Sequence, residues 1–75
     1  MGNLDTQLLL AHEIQDHAAL VALYTQAADQ GELANNIEVT CFFLTQAFIF
    51  ALECDHPTTE ELNRRLVAHG REEPL

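Results

Sequence analysis

A chain of 75 residues holds one domain at most, and at this length it buries only about 60% of the surface its unfolded form exposes. Twelve acids stand against three arginines and no lysine, for a net charge of −9. That balance argues against nucleic acid and anionic membrane as partners, since both need a cationic surface. It suits a basic protein partner, or serves solubility alone.

Ala, Leu, Glu and Gln are common, glycine and proline are few, and no apolar–polar alternation of strand length occurs. Helix is therefore expected throughout. The first helix is predicted over residues 4–14 on a sparse stripe of Leu4, Leu8, Ala11 and Ile14, capped by Asn3 or Asp5. Met1–Thr6 also fits the M-G-x-x-x-[ST] acylation pattern. No polybasic segment follows to supply a second anchor, so no lipidation is expected. The first ten residues lack a basic region and carry Asp5, so no secretory leader is expected either.

The second helix is predicted over 16–31. Leu20, Leu23, Tyr24, Ala27 and Ala28 follow the i, i+3, i+4, i+7, i+8 spacing of one buried face. Asp16 is the expected N-cap, which sets a break at Gln15–Asp16, and Gly31 is the expected stop. The third helix, 36–54, follows a capping box at Asn35-x-x-Glu38. The fourth, 58–69, follows Pro57 with Thr58 as N-cap and Glu61 at the third helical position. Its stripe is Leu62 and Leu66, its stop is Gly70, and residues 71–75 are expected to fray. Arg64 and Arg65 stand four residues after Glu60 and Glu61, the spacing of favourable helix-surface ion pairs.

The stretch CFFLTQAFIFALECDHP, Cys41 to Pro57, holds all four phenylalanines and both cysteines. On a helical wheel its apolar residues fill an arc of roughly 220°, against the 100° or so of an ordinary surface helix. Its densest apolar run is too short to span a bilayer, which needs about 20 residues. It is predicted as a central helix covered on two or three sides. Phe42 and Ile49 fall on the opposite, polar side and lie seven residues apart, so they neighbour each other. They are the leading candidates for a partner interface, with Phe43 and Phe50 beside them.

Gln15-Asp16-His17 followed by Leu20, Tyr24 and Ala27 resembles the second helix of a tetratricopeptide repeat. Leu44, Phe48 and Ala51 repeat its four-then-three spacing, and ALECDHP at 51–57 is similar to the ending of such repeats with one residue added. The resemblance covers about 40 residues, enough for a helical hairpin and short of the three or so repeats a stable array needs. It departs at Gln15, where the family has glycine, and at Leu20 and Leu44, where it has a small residue. The resemblance implies protein–protein binding without catalysis. A further echo, TQA at Thr25–Ala27 and Thr45–Ala47, is offset by 20 residues, matches no known repeat period and is expected to be chance.

Candidate chemistry is thin. His12 and His17 are five apart and face away from each other on a continuous helix, unlike the four-residue spacing of zinc helices. Cys54-Asp55-His56 is a single short cluster. On one helix Cys41 and Cys54 lie about 20 Å apart, too far for a disulfide, so two buried free thiols in a reducing cytoplasm are expected. The sequence predicts an all-α domain of three or four antiparallel helices, cytoplasmic, with no catalytic residues, metal or cofactor. Its expected role is protein interaction, including self-association, and the alternative is an acidic regulator docking on a basic surface.

Overall fold

The computed structural model describes residues 3–75, so the Met1-Gly2 start of the acylation pattern lies outside the described residues. Four helices follow one another: α1 (Leu4–Glu13), α2 (His17–Leu33), α3 (Ile37–Glu53) and α4 (Thr59–Ala68). The described chain has no strand and forms a small all-α bundle. Residues 4–33 are two helices, broken at Gln15–Asp16 as the cap at Asp16 predicts.

Each junction has the same physical construction. Gln15, Asn35, Asp55 and Gly70 take the left-handed conformation, with φ of 55°, 56°, 53° and 71°. Before each, the helix closes in a Schellman pair. At the end of α2, for example, Asn36 N–H donates to Gly31 O at 2.9 Å and Asn35 N–H to Glu32 O at 3.0 Å. Three helices then start on a side-chain cap. Asn3 accepts from Thr6 N–H, Asp16 from Ala19 N–H and Asn36 from Val39 N–H, at 2.8, 3.1 and 3.1 Å.

Several expected boundaries shift for identifiable reasons. Gly31 does not stop α2, which runs on to Leu33. The glycine is buried where α2 meets the start of α3: a Cβ there would lie 2.8 Å from Thr40 Oγ1 and 3.1 Å from Thr40 N. The cap of α3 is Asn36, because Asn35 is already used as the left-handed residue that ends α2. The box at Thr58 does not form. Its hydroxyl turns to His56 Nδ1 at 2.9 Å, and Glu61 pairs with Arg64.

The helices pack on their neighbours in chain order, most extensively α2 on α3. This pair carries the 20-residue echo as structure. Both helices have 17 residues, and both bury the first and last residues of the same interval. Leu20, Val21, Ala27, Ala28 and Gly31 on α2 match Thr40, Cys41, Ala47, Phe48 and Ala51 on α3. Thr25 and Thr45 return their hydroxyls to the carbonyl four residues back, at 2.7 and 2.8 Å. The register follows from two helices of equal length joined by turns of equal length.

The core cluster draws Val21 and Ala28 from α2, Leu44, Ala47, Phe48 and Ala51 from α3, and Leu62 and Leu66 from α4. α3 supplies half of this cluster and lies between α2 and α4, so it is the central helix, as expected. α1 lies against α2 and reaches α3 through the His12 ring, whose centroid is 5.7 Å from that of Phe50. Ile14, expected on the buried stripe of α1, is 71% exposed because it is the C-cap, where the helix is already turning away.

Two of the three arginines tie elements together. Arg65 does not pair with Glu61. It reaches Asp29 and Glu32 on α2, at 2.8 and 3.4 Å. Arg64 pairs with Glu61 instead of Glu60, and Arg71 pairs with Glu38 on α3 at 2.8 Å. The tail is held rather than frayed: buried Asn63 donates to Glu73 O at 3.0 Å and accepts from Leu75 N–H at 3.3 Å.

Candidate functional site

The outer side of α3 is the site that the sequence singles out. α2 and α4 cover the rest of α3, and the molecule is a plate with Cα extents of 34 × 29 × 14 Å. A plate of that shape cannot surround one helix with the others, so α3 keeps an open side. Phe42 is 58% exposed, Ile49 43% and Leu52 51%, and Thr45 between them is exposed as well. The Thr45 hydroxyl donates to Cys41 O within the helix.

Phe43 and Phe50, the other two candidates, are half-buried and belong to an adjacent aromatic row. Tyr24 of α2 inserts between them, with ring centroids 5.9 Å from Phe43 and 6.0 Å from Phe50. The Tyr24 and Phe50 planes are parallel to within 1°. The edges of His12 and Phe42 close this row, on Phe50 and Phe43 respectively. Phe43 and Phe50 therefore serve the packing of α2 on α3 first. Phe42 and Ile49 face solvent. Tyr24 is the residue that sequence reasoning placed in an ordinary buried stripe. Its position three residues before Ala27 gave no sign that two phenylalanines seven apart on α3 would receive it.

A groove of about 340 Å³ runs beside Phe42, lined by Glu38, Cys41, Phe42, Thr45, Gln46 and Arg71. Glu38 holds the Arg71 guanidinium above its ordinary pKa, by hydrogen bonding first and by charge second. The groove rim at this end of α3 therefore carries an Arg71–Glu38 ion pair. At the other end stand Glu53 and Asp55, with His17 Nδ1 3.9 Å from Glu53 Oε1.

The remaining candidate groups have structural surroundings. His12 Nε2 is 2.9 Å from the Tyr24 hydroxyl, and the His56 ring is engaged by Thr58. Both cysteines are free, Cys41 buried and Cys54 exposed. The exposure of Cys54 corrects the expectation of two buried thiols, because the chain leaves the helix at this residue. Among the described residues no three His, Cys, Asp or Glu side chains gather as a metal would need, and no helix is long and apolar enough to cross a membrane.

The fold and its open face thus define a small all-α bundle with a solvent-facing apolar strip on its third helix. Comparison with protein-family models, curated proteins and solved structures finds no match to this chain.

Proposed function

We propose that this chain is a cytoplasmic, non-catalytic protein-interaction module that self-associates through the outer face of α3. The observation that carries this reading is the joint exposure of Phe42 and Ile49 on one side of a helix whose other sides are packed. Exposed apolar residues that adjoin one another, rather than stand singly, mark interaction surfaces. The matched 20-residue register of α2 and α3 supports a repeat-like helical hairpin, while a tetratricopeptide relationship rests on the residues quoted above.

Sedimentation equilibrium across concentration tests the proposal, for wild type and for Phe42→Asp/Ile49→Asp. An oligomer that the double substitution dissolves, with helicity kept, is the expected result. A wild-type monomer at every concentration would refute self-association.

A second reading has its own observation. Asp29, Glu32, Glu38 and Glu61 occupy all three arginines, so the rest of the twelve acids face no arginine. That surface suits an acidic regulator docked on a basic protein. Binding of that kind weakens steeply with salt, whereas an apolar α3 interface holds.

A further inference from the structure

Of the large exposed apolar residues of α3, Phe42, Ile49 and Leu52 line up, and Ile37 stands apart at the start of the helix. Phe42, Thr45, Ile49 and Leu52 stand at intervals of three, four and three, the a/d spacing of a helix that packs along another in a left-handed pair. All four are exposed. The strip runs along the C-terminal two-thirds of a 17-residue helix. We infer that it is a seam for a second copy of the same helix, α3 against α3 in antiparallel orientation about a two-fold axis near Ala47. The inference rests on the self-association proposed above and specifies its geometry.

Side-chain size and charge both favour the antiparallel arrangement. With the axis near Ala47, Phe42 faces Leu52 of the second copy and Thr45 faces Ile49. Each small or medium side chain then meets a larger one. Parallel pairing sets Thr45 against Thr45 and leaves a gap beside two stacked phenylalanines, and unfilled space along a seam forfeits contact energy.

The charges point the same way. Antiparallel pairing brings Glu53 of one copy opposite Cys41 of the other, beside the groove where Arg71 is paired with Glu38. Parallel pairing brings Glu53 to Glu53 and Glu38 to Glu38. Like charges in those positions are destabilising, and the chain already carries −9. A two-fold contact is also closed, so it ends at a dimer.

The chain's own cysteines provide the test. Cys54 is exposed and Cys41 is 2% exposed, so a nitroxide label attaches at Cys54, and Cys41→Ala removes any residual labelling. Seven residues separate Cys54 from the axis. An antiparallel dimer therefore sets the two Cys54 Cα atoms about 20–25 Å apart, and a parallel one about 10–14 Å. The experiment is a dipolar distance measurement on the labelled full chain, at a concentration where sedimentation shows the dimer.

A long distance, lost with the dimer in both Phe42→Asp and Leu52→Asp, is the expected result. A dimer with the short distance would overturn the antiparallel seam and leave self-association standing. A dimer that survives both substitutions would place the interface elsewhere and overturn the seam. A labelled and unlabelled protein that stays monomeric would remove the self-association reading, and this inference with it.

Discussion

Arg65 of α4 places Nη2 2.8 Å from Oδ1 of Asp29 on α2, two elements that do not follow one another in the chain. The arginine is only 19% exposed while the aspartate is 56% exposed, so its aliphatic stem is covered and its head alone meets carboxylates. Solvent screening from the Asp29 side keeps the ion pair itself modest. Stem packing adds to it. Arg65→Ala is expected to lower stability by about 1–2 kcal/mol, read as a lower urea midpoint. Arg65→Met, which keeps the stem, should recover part of that loss. A double-mutant cycle with Asp29→Ala isolates the ionic part, expected at about 0.5–1 kcal/mol. No coupling in the cycle would show that Arg65 acts by packing alone.

Gly31→Ala sets two effects against each other. Alanine is favoured over glycine inside a helix by about 1 kcal/mol. At this position, however, its Cβ would meet Thr40 Oγ1 at 2.8 Å and the Thr40 backbone nitrogen at 3.1 Å. The hydroxyl is itself fixed by its bond to Asn36 O at 2.8 Å, and the backbone belongs to the first turn of α3. Overpacking of this kind costs about 1–3 kcal/mol, so the net expectation is destabilisation, measured as a lower thermal midpoint. Thr40→Ala in the same background should relieve the side-chain clash and leave the backbone one. A variant more stable than wild type would mean that α2 and α3 separate freely at this end.

These two residues show what the sequence made legible. Four helices, the break at Gln15–Asp16 and the cap at Asp16 were readable because each is a local property of a few adjacent residues. The exposure of Phe42 and Ile49 was readable from the wheel, since they fell among polar residues on the side opposite a very broad apolar arc. Gly31 was misread because glycine ends helices and also permits close helix approach, and only the position of Thr40 decides between them. Arg65 was misassigned to Glu61 because the helix-local partner is visible at four residues, whereas Asp29 is 36 residues away. Asn63 gave no signal at all: one polar residue beside Leu62 looks like surface until the returning tail covers it.

The left-handed residue at Gln15 offers a stabilising change. Asn35 and Asp55 tolerate a positive φ better than most side chains, and Gly70 does so without cost. Gln15 has no such tolerance, and a left-handed conformation costs an ordinary L-residue about 1–2 kcal/mol. Gln15→Gly removes that strain and raises the entropy of the unfolded chain, so a net gain of about 0.5–1 kcal/mol is expected. In a thermal melt this corresponds to a midpoint higher by about 3–6 °C. Gln15→Asn should give a smaller gain in the same direction, and Asn35→Gly almost none. Equal gains at Gln15 and Asn35 would contradict the assignment of strain to the glutamine side chain.

The tail provides the last prediction. Asn63 uses both ends of its amide to hold residues 73–75: Nδ2 donates to Glu73 O, and Oδ1 accepts from Leu75 N–H. Upstream, Arg71 is anchored separately by Glu38. Asn63→Ala removes the first tie and not the second. Released tail groups reach water, so no buried polar atom is left unpaired, and the cost to global stability should stay near 1 kcal/mol. The clearer readout is local. Hydrogen exchange of the Leu75 amide should rise toward the rate of an unstructured peptide, while amides in α2 and α3 keep their protection. Arg71→Ala in the same experiment should leave the Leu75 amide protected, because the Asn63 bonds remain. If Leu75 stays protected in Asn63→Ala, the tail is held by contacts other than this amide.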